Sequence, residues 1–188
     1  MKIVAAISGA SGVNLGLKLA LQIAKRSDAY VVISRGAKEV LLKERIIEDE
    51  ENQSALKALE KVAKIYSDDD LAAPISSGSF GIDATIIAPC SINTLAKIHA
   101  GFADTLITRA AAVALKERKR LVLGVREMPF STLSLEHAAK LSALGAVIAP
   151  PVLGYYSAQN SLEDMENFII GKWLDLLGLE HQIYKRWS

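Results

Sequence analysis

The sequence predicts an α/β fold: one doubly wound parallel sheet, three layers thick, in a single domain. Three observations carry this. Short, β-rich apolar runs recur along the whole chain, each stopped by Gly, Pro or Ser. Apolar-periodic stretches of helical length separate them, so strand, helix, strand and helix fit within the first 45 residues. Polar and charged residues gather just after the strands: Ser-Gly-Ala-Ser-Gly at 8–12, Ser34-Arg35, Pro-Cys-Ser-Ile-Asn-Thr at 89–94, Val-Arg-Glu-Met-Pro at 125–129, and Pro-Pro-Val-Leu-Gly-Tyr-Tyr at 150–156. Sheets of this kind bind ligands beyond the carboxyl ends of their strands.

Residues 2–8 read as a buried strand ended by glycine. Residues 13–26 follow as a helix buried over a wide face, with apolar side chains at 13, 15, 17, 19, 20, 21, 23 and 24. Residues 29–34 are the second strand, and 36–43 begin a second helix. Residues 44–70 read as a charged surface excursion holding a helix at 54–64, with Ser-Asp-Asp-Asp at 67–70 as a breaker or cap. Residues 74–80 form a polar loop, and 84–88 (ATIIA) the strongest strand. Helices are expected at 91–100, capped by Ser91, and at 105–118. Next come a strand at 120–125, a helix at 131–144 with Gly145 just past its end, and a strand at 146–149 stopped by Pro150-Pro151. A last helix spans 161–177, with Ser161 and Asp164 in a capping pattern.

Composition bounds the function. A chain of 188 residues, 51% apolar and 23% charged, describes a globular protein with room for a sizeable core. A formal charge of +1 gives no bulk attraction to nucleic acid or to an anionic membrane. A lone cysteine, Cys90, excludes an intramolecular disulfide and a Cys-rich zinc site, and the three histidines lack metal-ligand spacing. No apolar run approaches the roughly 20 residues that span a bilayer. A cytoplasmic protein without a bound metal is expected.

The strand tips supply the candidate site. Gly9 and Gly12 permit tight backbone, and the helix start after them offers free N–H groups to an anion. Ser11 adds a hydroxyl there. Ser91 and Thr94 open a helix after a central strand, where hydroxyls and N–H groups suit a phosphate or a flavin edge. Cys90 reads as a buried structural thiol rather than a nucleophile, since no histidine lies near it in sequence. Arg109 and Lys116 stand two helical turns apart on one face, flanking a small apolar patch at 110–115 suited to packing against another helix or subunit. Arg126 and Glu127 sit at a strand end, where adjacent side chains point to opposite sides. Tyr155 and Tyr156 serve as core or as walls for an apolar substrate, and the terminal Trp187 is expected to dock.

Taken together, these segments resemble one family, the UbiX-type flavin prenyltransferases. The stretches that carry the resemblance are ISGASG (7–12), PISSGSF (74–80), APCSINTLAKI (88–98), ITRAAAVALKERKRLVLGVREMPFS (107–131), LGAVIAPPV (144–152), YY with the later QNSLEDM (155–165), and RW at 186–187. They run through nearly the whole chain in order, and VREMP with LKER is the specific part. The resemblance implies a Rossmann-like flavoprotein that binds FMN, assembled as a dodecamer with sites between subunits. A C-terminal tail from about residue 178 would pack at an interface. The implied reaction joins the dimethylallyl group of dimethylallyl phosphate to N5 and C6 of reduced FMN, and the product serves a UbiD-type decarboxylase.

By the same resemblance Gly9, Ala10, Ser11, Ser34, Ser91, Ile92, Asn93, Thr94 and Arg126 would contact FMN. Ser77, Gly78, Arg109, Lys116, Tyr156, Lys172 and Trp187 would meet the donor, some from a neighbouring subunit, and Ser11 and Glu127 would manage protons. The chemistry fits these types. Cations stabilise a leaving phosphate, a carboxyl group suits proton donation to it, and aromatic walls keep water from an allylic cation. Three positions depart from the family pattern: Lys172 stands where arginine is common, Ser157 where histidine is, and Leu15 where tyrosine is. Lysine keeps the charge but loses bidentate geometry. Two further readings remain at this stage. One is an FMN-dependent cysteine decarboxylase of the phosphopantothenoylcysteine type, whose Pro-Ala-Ser-Ala-Asn-Thr segment resembles residues 89–94, although its active-site histidine and its Met-Trp loop are missing. The other is a non-catalytic flavin carrier.

Overall fold

The computed structural model describes residues 1–44, 50–157 and 159–187, giving the backbone alone for 50–54. Six strands form one all-parallel sheet in the order β3-β2-β1-β4-β5-β6: β1 Lys2–Ile7, β2 Asp28–Ile33, β3 Lys64–Ser67, β4 Ala84–Cys90, β5 Arg120–Val125 and β6 Val147–Ile148. Seven α-helices are described: α1 Val13–Ala24, α2 Arg35–Lys43, α3 Glu50–Val62, α4 Ile92–His99, α5 Leu106–Lys116, α6 Thr132–Ala143 and α7 Leu162–Leu177. The strand order reverses between β1 and β4. That reversal opens a crevice at their carboxyl ends.

Alternation along the strands divides the core in two. Ile3, Ala5 and Ile7 face one side and pack with α1, α2 and α7. Val4 and Ala6 face the other, with Leu95, Ile98, Leu106 and Leu141 of α4, α5 and α6. The central strands are apolar on both faces because helices cover both. Trp173 of α7 is buried, and its Nε1–H donates to the Ala149 carbonyl oxygen at 2.9 Å. Gly124 makes room for it, since a Cβ there would stand 3.0 Å from the indole.

Several expectations change. The helix read at 54–64 spans Glu50–Val62, and Lys64–Ser67 is an edge strand that the charged surroundings conceal. Part of the excursion, residues 45–49, lies outside the described residues. The strand at 146–149 keeps only two residues, ending before Pro150. The apolar stretch at 110–115 is core more than interface: Ala110, Ala111 and Ala114 are buried against the sheet. Arg126 and Glu127 lie past the end of β5, just before a bend at Met128-Pro129, so strand alternation does not set their directions. In the tail, Leu179 and His181 are buried within the chain while Trp187 is exposed, which leaves the expected interface packing of the tail untouched.

A candidate active site at the strand reversal

The turn after β1 and the turn after β4 are stitched together by Ser8. Its Oγ–H donates to the Pro89 carbonyl oxygen at 2.9 Å, and the Ser91 N–H donates to Ser8 Oγ at 2.8 Å. The turns after β1 and β2 meet as bare backbone: a Cβ on Gly9 would stand 2.9 Å from the Gly36 carbonyl carbon. Gly12 ends the turn at φ +89°, a left-handed conformation that a side chain disfavours. Its N–H donates to Glu44 Oε1 at 3.1 Å, which brings a carboxylate from the end of α2 to the turn that carries Ser11. Ser11 itself is exposed, and Asn14 Oδ1, in the first turn of α1, is buried with no hydrogen-bond partner among the described residues.

Three helix N-termini converge on a hollow of about 290 Å³ in front of these turns. Each is capped by a hydroxyl. The Ala37 N–H donates to Ser34 Oγ at 3.0 Å, Thr94 N–H to Ser91 Oγ at 3.2 Å, and Thr108 N–H to Thr105 Oγ1 at 3.4 Å. Gly9, Ser34, Gly36, Ser91, Asn93 and Thr94 line the hollow, with Arg35 and Lys97. Positive helix ends, hydroxyls and side-chain cations facing one space suit a phosphate. The backbone cradle at Gly9 and Gly36, beside the three capped helix ends, fits a flat, polar ligand such as a flavin mononucleotide. Asp68, at the tip of β3, closes the far wall by accepting from the Ile107 N–H at 2.8 Å. A hollow of about 400 Å³ lined by Asp28, Tyr30, Lys61 and Lys64 lies at the opposite, amino edge of the sheet, away from the strand tips.

Arg126 and Glu127 follow β5 beside this crevice. The Arg126 N–H donates to the Cys90 carbonyl oxygen at 3.0 Å, tying this segment to the turn after β4. Glu127 is exposed, and its Oε1 accepts from the Met128 N–H at 3.0 Å. Cys90 is buried beneath the turn, and burial pushes its thiol up to about 12, so a structural role fits. Ala10 and Ile92 complete the two turns without polar side chains.

The donor-side residues fall into two groups. Tyr156, Lys172 and Trp187 gather around α7. The Tyr156 ring meets Trp187 edge-on at 5.2 Å and Phe168 at 5.6 Å. Lys172 lines an adjoining hollow of about 310 Å³ with Gly154, Phe168 and Pro150. Ser77, Gly78 and Lys116 sit elsewhere. The chain from Asp68 runs back along α5, so that Gly78 stands against Glu117 and Lys116 Nζ pairs with Glu117 at 2.7 Å. This is the amino edge of the sheet, where β5 begins, whereas the exposed Arg109 stands in the first turn of α5 near the crevice. One chain therefore does not bring all the expected donor ligands together. Among the described residues no carboxylate pairs with Arg109, Arg126 or Lys172, and no group of His, Cys, Asp and Glu is placed to hold a metal ion. No described helix is long and apolar enough to cross a membrane.

Sequence reading missed Ser8, Glu44, Asn14 and Asp68. Ser8 alone carried a signal, as a hydroxyl at the tip of a fully apolar strand. The others depend on contacts between segments distant in sequence.

Known proteins resemble this chain along its whole length. The Flavoprotein family model matches residues 1–174. The flavin prenyltransferase UbiX of Campylobacter jejuni is 54% identical over all of this chain and 99% of its own length. That of Thermoplasma acidophilum is 46% identical over the full length of both. A crystal structure of AnUbiX (PadA1) in complex with FMN and dimethylallyl pyrophosphate superposes with a TM-score of 0.91, at 39% identity over 100% of this chain and 97% of that one. A dodecameric FMN-dependent UbiX-like decarboxylase from Escherichia coli O157:H7 gives 0.90, at 37% identity over the full length of both. A PPC decarboxylase structure matches at 21% identity with a TM-score of 0.64, over 81% of this chain and 82% of that one, which shows a common fold alone. The crevice at the strand reversal, the three capped helix ends and this likeness along the whole chain lead to one conclusion: the chain belongs to the UbiX-type flavin prenyltransferases of the Flavoprotein family.

Proposed function

We propose that this protein joins the dimethylallyl group of dimethylallyl phosphate to N5 and C6 of reduced FMN, and that a UbiD-type decarboxylase receives the prenylated flavin. The observation that carries the reading is the crevice between β1 and β4, where the Ser11 turn, three helix N-termini and the Arg126–Glu127 segment meet in a chain of this family. Bound there in reduced form, FMN supplies the two nucleophilic ring atoms. Ser34, Ser91, Asn93 and Thr94 hold its phosphate with the helix ends, and Gly9, Ala10, Ile92 and Arg126 flank the rest.

The chain's own groups then serve the leaving phosphate. Breaking the allylic C–O bond leaves its electron pair on phosphate oxygen, and Arg109, Lys116 and Lys172 neutralise that charge. Glu127 donates a proton to the departing phosphate, and Ser11 relays a proton at the flavin edge. Tyr156 and Trp187 exclude water from the reacting carbon. Because Ser77, Gly78 and Lys116 lie at the amino edge in their own chain, they serve the crevice of a neighbour, and the working unit is a homo-oligomer, dodecameric like the E. coli relative.

Anaerobic incubation with FMN, a reductant and either dimethylallyl phosphate or the pyrophosphate tests this, with mass spectrometry of the released flavin. A gain of one five-carbon prenyl unit is the expected result. Bound FMN that is never modified with either donor would favour the flavin carrier instead.

A further inference from the structure

We propose that Asp175 is a positioning residue for the donor side of the site: its carboxylate clamps the C-terminal tail so that Trp187 and Tyr156 stand as one aromatic wall. The proposal rests on the functional reading above. Asp175 lies on α7, three residues past Lys172, and belongs to no strand tip.

Its two oxygens collect the tail. Tyr184 Oη donates to Oδ2 at 2.7 Å. Arg186 reaches both, with Nη2 at 2.8 Å from Oδ1 and Nη1 at 3.1 Å from Oδ2, a fork-on-carboxylate geometry that fixes direction as well as distance. His181 Nε2 stands 3.1 Å from Oδ1, while its Nδ1 accepts from the Ile183 N–H at 3.4 Å, which assigns the ring proton to Nε2. Gly171, one helical turn earlier, leaves the space for these rings: a Cβ there would stand 2.2 Å from Tyr184 and 2.8 Å from His181.

The clamp matters because the wall has little else to hold it. Trp187 is 79% exposed and Tyr156 48%, so burial does not immobilise either ring. Trp187 directly follows the clamped Arg186. From it the contacts close a ring: Trp187 on Tyr156 at 5.2 Å, Tyr156 on Phe168 at 5.6 Å, Phe168 on Tyr184 at 5.2 Å, and Tyr184 back to Asp175. Phe168 also lines the hollow that Lys172 lines, so the same ring of contacts sets the aromatic wall against the cation. The carboxylate holds both ends of this circuit, and Arg186 reinforces it by donating from Nη1 to Tyr184 Oη at 3.3 Å.

The test compares the full-length protein with Asp175→Asn and, as a surface change that spares the α7 packing, Arg186→Ala. Time-resolved fluorescence anisotropy of Trp187 is read against a Trp187→Phe chain, which supplies the Trp173 background. Expected in both variants is a larger fast depolarisation of Trp187, a KM for dimethylallyl phosphate raised about ten-fold or more, kcat within about two-fold and unchanged FMN affinity. Asp175→Glu, which keeps the charge, should recover part of the loss. Trp187 staying as rigid as in the parent would overturn the proposal, as would a loosened Trp187 with an unchanged KM. The anisotropy does not depend on turnover, so a parent chain that transfers no prenyl group sinks the functional reading, and the donor-site role with it, even if the clamp is seen.

Discussion

Gly9 sets the tightest limit on the site at the level of single residues. Gly9→Ala drives a methyl group into the Gly36 backbone, which no rotamer change relieves. The expected cost is about 1–3 kcal/mol in urea unfolding, with weaker FMN binding by fluorescence titration. Ser8→Ala removes an acceptor from the Ser91 N–H and a donor from the Pro89 carbonyl oxygen in a buried place. It should cost roughly 1–3 kcal/mol while leaving every side chain expected to touch FMN intact. Asp175 makes a pH prediction. Burial acts to raise its pKa, but the hydrogen bonds from Arg186 and Tyr184 and the Arg186 charge outweigh burial and hold it at about 2, below the ordinary 3.8. Its contribution, about 1 kcal/mol once solvent screening of this partly exposed pair is allowed for, is therefore fully present above pH 4 or so and is lost as pH falls towards 2. Thermal unfolding of Asp175→Asn should fall below the parent at neutral pH and converge with it in strong acid.

At the scale of elements, α1 shows how packing overrules propensity. Gly16→Ala improves helix propensity by about 1 kcal/mol, yet its methyl would stand 2.4 Å from the Ala88 carbonyl oxygen. Net destabilisation by chemical denaturation is the expected outcome. The elements that were legible in sequence announce themselves locally: the apolar run of β4, the Ser161 cap that accepts from the Asp164 N–H at 3.1 Å, and Gly145 at φ +96° past α6. Strand β3 was not legible. An edge strand of four residues, two of them half-buried and none buried, lacks the apolar continuity that reveals a central strand. Asp68 was legible as a capping residue but not its partner, because the helix it helps to cap is α5, 39 residues further on.

Across the whole molecule, the crevice side of the site was readable because every strand tip carries its own polar signature. The donor side was readable only as residue types, since the fold sends Lys116 and Arg109 to opposite ends of α5 and Lys116 to the far edge of the sheet. The proposed sharing of sites between subunits can be tested on this basis. A Ser11→Ala chain and a Lys116→Ala chain, each inactive alone, should regain part of the activity when unfolded together and reassembled, because some interfaces then pair two intact halves. No recovery on mixing would place both residues in one subunit's site. The same topology gives the protein a built-in stopwatch. Cys90 is the lone thiol, sealed under the turn that joins β4 to α4 and held in its unreactive form. An alkylating reagent cannot label it until that turn lifts off Ser8, so the labelling half-life times the opening of the crevice itself. Occupancy by FMN should lengthen it, with no dye, tag or substitution introduced.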